Sequence, residues 1–344
     1  MSIHAFPIPA DDGNSDHADD VIRCRGVVTD ISRGPSEKPC RIVVSNLAGQ
    51  TAFRLVFDSE GGTTGVPRLG DAVEVYGYPE TFGDATGVAI EIAPIPDSEL
   101  TLDITPQTWC AADAIAPMQL MAAVIATLSP DLSRFLSQVV GQRKVAERVA
   151  VAPASVADHH SGPGGLAIHT AAMLSRLTSL SLAEFTDVAS REALLAAVIL
   201  HDLGKVMTSD GGFSNFQVAH ELRLLGLIPL DAWEQYRNAQ RSQSEFLLYL
   251  LDPARRREHC SPVPEVHHLI WADRVGASVE TARRMFSKSE PWTSTTVSDA
   301  NGVRRRTHRA VLRRSSASVK AARTLSKPVS PINGHSTQNS KEIN

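Results

Sequence analysis

Residues 191–205 read REALLAAVILHDLGK, and this stretch decides the larger half of the fold. An apolar helix runs through Leu200 and ends in adjacent His201 and Asp202. Both side chains leave one helix terminus, so they can converge on one cation. Imidazole plus carboxylate suits Zn, Mn, Fe or Mg, depending on the remaining ligands. Gly204 lets the backbone turn without a Cβ clash. Lys205 adds a compact positive charge that suits a phosphate. An ordinary buried helix end capped by an Asp would present the same pair.

Two further residues favour the metal. His169 lies in LAIHTAAMLSRL, where its i+4 and i+8 neighbours are Met173 and Leu177, so it falls on the inward stripe. Asp273 lies in VHHLIWADRVGAS, with Leu269 and Ile270 at i−4 and i−3. A carboxylate pointing into a core is costly unless it is paired or binds a metal. His169, His201, Asp202 and Asp273 therefore form a candidate set of four ligands for one divalent ion. Around them, MQLMAAVIATL, LSRFLSQVV, QVAHELRLLGL and SEFLLYLLD carry apolar residues at helical spacing. The expected result is an all-α domain over residues 105–287.

Upstream the period changes. VIRCRGVVTDI, RIVVS, TAFRLVF, DAVEVYGY and GVAIEIAP are β-branched and roughly alternating, and turn-rich pieces separate them. Five short strands without an intervening helix predict a small barrel or sandwich over residues 20–98. Leu69-Gly70-Asp71-Ala72-Val73-Glu74-Val75-Tyr76-Gly77 resembles the fourth-strand entry of OB-folds, barrels whose sheet face often binds oligonucleotides. Arg23, Arg25, Arg41, Arg54 and Tyr76 are the candidate nucleic-acid contacts there.

Composition narrows the class. The chain has 344 residues, 42% hydrophobic and 21% charged, which fits about two packed domains and excludes global disorder. Aromatic residues are 5%, too few for an aromatic-rich strand-binding platform to dominate. No apolar run reaches the ~18 residues of a membrane span, so no membrane association is expected. The acidic start, MSIHAFPIPADDGNSDHADD, lacks the basic-then-apolar order of a secretory signal, and residues 1–19 read as a disordered leader. Cys24, Cys40, Cys110 and Cys260 form no CxxC pair and read as free thiols in a reducing cytoplasm. The net charge of −4 hides an asymmetry: residues 1–100 carry 16 acidic and 7 basic side chains, and residues 301–344 carry 1 and 10. The acidic balance of the first hundred residues predicts weak nucleic-acid binding by the barrel. Residues 300–344 are expected to be a disordered basic tail that adds non-specific affinity.

The histidine–aspartate set carries a family resemblance. His169…His201-Asp202…Asp273 is similar to the H…HD…D signature of the HD-domain metal-dependent phosphohydrolases. His159-His160-Ser161-Gly162-Pro163-Gly164-Gly165-Leu166-Ala167-Ile168-His169-Thr170 resembles the HHxxPGGLxxHT box of the YhaM-type 3′→5′ exoribonucleases, in which an OB-fold precedes the HD domain. Ile199–Lys205 resembles their LLHDxGK box. Cys260-Ser261-Pro262-Val263-Pro264-Glu265, followed by Ala272-Asp273-Arg274, resembles their GSPxxPE…ADxxDA box. A weaker similarity, through the same HH box and the Ala272–Val279 ending, is to HD-type relaxases of conjugative elements.

The resemblance implies an N-terminal OB-like β-barrel followed by an all-α HD domain, which with the basic tail read from composition gives an α+β multidomain chain. It implies metal ligation by His169, His201, Asp202 and Asp273, with Lys205 on the scissile phosphate. Lys205, Asp202 and His160 form the catalytic set, His160 at the pocket mouth, and His220 is a candidate ligand for a second metal. The implied function is a metal-dependent phosphodiesterase on single-stranded RNA or DNA, in the first instance a 3′-5′ exoribonuclease. Alternatives are a relaxase-like or accessory DNA-processing protein and a catalytically decayed HD-fold binding module. Assembly into a homo-oligomer is left open. One departure matters: Pro253 and Ala254 stand where the exoribonucleases carry a His-His pair, so one ion per chain is expected. The following Arg255–Arg257 run reads as a solvated loop or as a substitute for lost metal charge.

Overall fold

The computed structural model describes residues 21–34, 39–55, 66–79, 85–155, 160–208, 223–254, 261–287, 295–300 and 303–308. Two units are present, one ending at Ala277 and one beginning at Ser278.

In the first unit, β1 (Ile22–Arg33), β2 (Pro39–Asn46), β3 (Gly49–Leu55), β4 (Ala72–Pro79) and β5 (Gly87–Pro94) close a barrel in the order β1-β2-β3-β5-β4. Every pairing is antiparallel except β3–β5, which is parallel and closes the barrel. The alternation read from the sequence places Cys24, Val28, Ile42, Val44, Phe53, Val73 and Val75 inside. The chain is thus an OB-like barrel followed by a helical region.

That region holds α1 (Ile115–Thr127), α2 (Pro130–Val140), α3 (Arg143–Val149), α4 (Gly165–Thr178), α5 (Val188–Leu200), α6 (Leu230–Ala239), α7 (Arg241–Leu251) and α8 (Pro264–Ser287). Its centre is α5. Asp187 caps α5, its carboxylate accepting the Ser190 N–H at 2.6 Å. Every residue from Ala193 to Leu200 is buried. A helix apolar on all sides has no solvent face and must lie inside the bundle. The apolar stripes of α3 and α6 are too short to be read as helices from sequence. The seven residues of α3 bury only Val145, Ala146 and Val149, and α6 buries only Ala232 and Tyr236. Tyr236 stacks on Phe135 of α2 with ring centroids 5.0 Å apart. The helix expected over residues 217–227 lies largely outside the described residues.

Barrel and helices join through the β2–β3 turn. The Leu47 side chain is buried in the helical core. Its carbonyl accepts hydrogen bonds from Gln107 Nε2 at 2.7 Å and Gln119 Nε2 at 2.6 Å. The Leu47 N–H donates to the Asp103 carbonyl at 2.9 Å. Among the described residues, no helix is long and apolar enough to cross a membrane.

The second unit corrects one expectation. Residues 303–308, read as the start of a disordered tail, form β7 (Val303–His308), antiparallel to β6 (Thr295–Ala300) with Ala300 opposite Val303. The dipeptide between them is Asn301-Gly302, the residue pair that two-residue hairpins favour because both positions tolerate positive φ. The Arg-rich composition masked that signal. The remainder of the expected tail, like the expected leader, lies outside the described residues.

Candidate metal centre

His169 comes from α4, His201 and Asp202 from the end of α5, and Asp273 from α8. The first three are 1%, 2% and 6% exposed, which is uncommon for groups that carry or acquire charge. His169 Nε2 lies 3.3 Å from Asp273 Oδ1 and 3.7 Å from Asp202 Oδ2. His201 Nε2 lies 3.4 Å from Asp202 Oδ2. One ligand atom each from His169, His201 and Asp273 falls within 4.8 Å of the others. Ligands about 2.0–2.2 Å from a common ion stand roughly 3–4 Å apart, so this spacing fits a divalent cation.

The protonation pattern fits as well. His201 Nδ1 lies 2.8 Å from the Val198 carbonyl, which can only accept. Nδ1 therefore carries the hydrogen, and in the neutral ring Nε2 presents a lone pair to the cluster. Nε2 is buried and makes no hydrogen bond among the described residues. An orphaned buried acceptor beside two carboxylates is what a metal ligand looks like in the absence of its ion.

Electrostatics point the same way. Burial alone would lower the His201 pKa, but the Asp202 and Asp273 carboxylates and the Val198 carbonyl outweigh it and leave the imidazole raised. Burial would raise Asp273, but its hydrogen bond to His169 and the nearby imidazoles hold it below the usual carboxylate range. The cluster thus favours added positive charge.

Local backbone rules explain the glycines beside it. Gly164 starts α4 at φ 74°, in the left-handed region, and a Cβ there would approach Ala114 Cβ to 2.6 Å. A Cβ on Gly165 would collide with the His160 carbonyl oxygen. That carbonyl accepts the Ala154 N–H at 2.9 Å. His160 itself sits at φ 51°, an uncommon conformation for a side-chain-bearing residue. Its ring centroid is 5.9 Å from that of His169, so the box delivers His160 to the edge of the cluster.

Lys205 has a partner that the sequence does not show. Its Nζ donates to Asp202 Oδ2 at 2.6 Å, so one of its three donors holds a candidate ligand in position. A further positioning residue went unrecognised in the sequence. Glu265, at the start of α8, is fully buried. It accepts the Thr186 N–H at 2.8 Å and the Thr186 hydroxyl at 3.3 Å. This ties the helix carrying Asp273 to the segment that enters α5. The box around Glu265 was legible; its partner Thr186 carried no signal.

Pro253 and Ala254 form a turn after α7, in which the Ala254 N–H donates to Asp252 Oδ1 at 2.9 Å. Arg255–Arg257 and His220 lie outside the described residues.

The five barrel candidates do not form one patch. Arg23 pairs with Glu74 and lies 5.7 Å from the Tyr76 ring centroid. Arg25 donates to the Glu99 carbonyl at 3.2 Å. Arg41 is 3.8 Å from Asp30 and stands across from Arg54 on β3. Arg23 pairs with Tyr76, whereas Arg41 pairs with Ser32 near the far end of β1, about 30 Å of extended strand away.

No family model matches the chain, and no solved structure does. Among curated proteins, it is similar to a Bacillus licheniformis protein named 3′-5′ exoribonuclease YhaM, 29% identical over 212 residues, 59% of this chain and 61% of that one. The Bacillus subtilis protein of the same name is 28% identical over 212 residues, with the same coverage. That of a Geobacillus species is 29% identical over 178 residues, 49% of this chain and 53% of its own. The chain thus spans about 61% of the length of the first of these relatives. The resemblance read from the boxes is the one these relatives share.

Proposed function

We propose that this protein is a metal-dependent phosphodiesterase of the HD type that removes nucleotides from the 3′ end of single-stranded RNA. The observation that carries the reading is the convergence of the buried His169, His201 and Asp202 with the half-exposed Asp273, in a chain similar to proteins named 3′-5′ exoribonuclease. These four residues would hold one divalent ion. When bound, that ion supplies Lewis-acid polarisation of a phosphoryl oxygen and of water. Asp202 is oriented by Lys205, whose ammonium also brings positive charge to the side of the pocket where phosphate charge develops. His201 is held in one tautomer by Val198. His160, at the cluster's edge, is placed to meet the substrate or the leaving group. The barrel would guide the strand, through Arg23 and Tyr76 at one end and Arg41 and Arg54 at the other.

A second reading, a binding module whose catalysis has decayed, is favoured by one observation: Pro253 and Ala254 replace the His-His pair. End-labelled RNA and DNA strands incubated with chelated protein, then with Mn, Mg, Fe or Zn returned, separate the readings. A ladder shortening from the 3′ end of RNA supports the nuclease. Strand binding without cleavage under every metal supports the decayed module, and nicking of DNA supports a relaxase-like activity.

A further inference from the structure

Arg148 is the last-but-one residue of α3 and is half-buried. Its main chain and its side chain serve two different segments of the metal centre.

The main chain serves the box before α4. The Arg148 carbonyl accepts the Val151 and Ala152 N–H groups at 3.1 and 2.7 Å. In the turn so formed, the Val151 and Ala152 carbonyls accept the Gly164 and Leu166 N–H groups at 3.0 and 2.9 Å. Two residues on, the Ala154 N–H donates to the His160 carbonyl at 2.9 Å. These bonds fix the segment that carries His160 and the start of the helix that carries His169.

The side chain works elsewhere. Its Nη1 donates to the Val206 carbonyl at 2.8 Å. Val206 is fully buried and follows Lys205 in the 3-10 turn Leu203–Thr208. Carbonyls in the last turn of a helix have no partner inside it. A buried one left unmet is costly, and a guanidinium donor makes the stronger, charge-assisted kind of bond. The turn starts directly after Asp202 and is tied to it twice. The Lys205 N–H donates to the Asp202 carbonyl at 2.9 Å, and Nζ donates to its carboxylate at 2.6 Å. Those bonds hold one end of the turn. The Arg148 bond holds it again further along, from a helix 58 residues away in the chain.

We propose that Arg148 is a positioning residue. It registers the turn carrying Lys205 against the box carrying His160 and His169, so that the Lys205 ammonium serves Asp202 and phosphate together. The inference rests on the phosphodiesterase reading for the phosphate. Its two arms are separable, because replacing the side chain removes the bond to Val206 and leaves the main-chain bonds in place.

The test compares full-length wild type with Arg148→Met, Arg148→Lys, Lys205→Met and the Arg148→Met/Lys205→Met double variant, with melting curves to verify each fold. In the metal-free protein, hydrogen exchange across residues 203–208 is expected to speed about tenfold in Arg148→Met, with residues 160–169 changed less than about twofold. With saturating metal and single-stranded RNA, kcat should fall about tenfold and KM change less than about twofold, since a small misplacement from a remote substitution can cost up to about 100-fold. Arg148→Lys keeps a charged donor but loses the planar fork, so about threefold is expected in both readouts. That variant carries the same comparison if Arg148→Met does not fold. In the Lys205→Met background, Arg148→Met should cost less than about twofold more, because it acts through Lys205. Equal loosening of both segments, or of neither, would overturn the proposal, as would a tenfold loss that persists without Lys205. Absence of hydrolysis by wild type under every metal would remove the phosphodiesterase reading, and the exchange pattern would still decide whether Arg148 holds the turn.

Discussion

On the barrel, Arg23 lies against Glu74 and Arg41 near Asp30, each charge answered by an acid on a neighbouring strand. In the helical region, Asp202 is buried beside two imidazoles, and the half-exposed Asp273 joins them from α8. Water and local partners settle the first set of charges at little gain, since exposed pairs are worth about 0–1 kcal/mol. The second set is settled only in part: Lys205 answers Asp202, while His201 Nε2 has no hydrogen-bond partner among the described residues. Charge on a surface is therefore a weak pointer to function here, and charge drawn into a core from three helices is a strong one.

The contrast can be broken most forcefully at the ligands. His201→Ala or Asp202→Ala is expected to reduce bound metal to background, measured by elemental analysis. Loss of Lewis-acid stabilisation worth roughly 4 kcal/mol lowers turnover about 1,000-fold. Full metal occupancy in both variants would dissolve the distinction between the regions. Lys205→Met comes next. It should keep most of the metal and lose about 100-fold in kcat, the effect of removing one preorganised charge. Metal loss in parallel with activity would make Lys205 a support for Asp202 alone.

Much of this arrangement could be read before the coordinates. The apolar run before His201 marked a buried helix and His169 lay on an inward stripe, whereas Asp273, expected on an inward stripe too, has a half-exposed side chain. The barrel's alternation was legible because half of each strand faces a core. What could not be read was partnership across the chain. No sequence rule shows that the Lys205 ammonium reaches back to Asp202. Glu265 and Thr186 are 79 residues apart and meet only through the fold. The acids beside Arg23 and Arg41, Glu74 and Asp30, depend on strand register and cannot be read from either residue.

Glu265→Ala probes that hidden partnership. It removes two hydrogen bonds to a buried carboxylate and is expected to cost about 3 kcal/mol of stability by urea denaturation, with Glu265→Gln costing less. An unchanged midpoint would show that α8 is anchored elsewhere. A pH series sharpens the contrast in the metal-free protein. The raised His201 pKa contributes stability that is fully present below the unfolded value of 6.5 and is lost as pH rises through the folded value. Metal affinity should run the opposite way, strengthening with pH as the imidazole gives up its proton. Melting curves and metal titrations across the same pH range check both slopes, and parallel slopes would mean that His201 is not a ligand. The smallest effect is on the barrel. Arg23→Gln should change RNA affinity less than about threefold, because Glu74 already answers that charge. A loss near tenfold would make the barrel face an energetic partner of the cluster.

The Leu47 turn has a calorimetric consequence. Its side chain fills the helical core while its carbonyl satisfies Gln107 and Gln119, so neither half can melt without exposing apolar surface and stranding polar groups in the other. Barrel and helices are thereby coupled thermodynamically, and heat should take them apart in one cooperative endotherm, with the van't Hoff and calorimetric enthalpies in agreement. Leu47→Asp would uncouple the two, splitting the endotherm into a barrel step and a helical step.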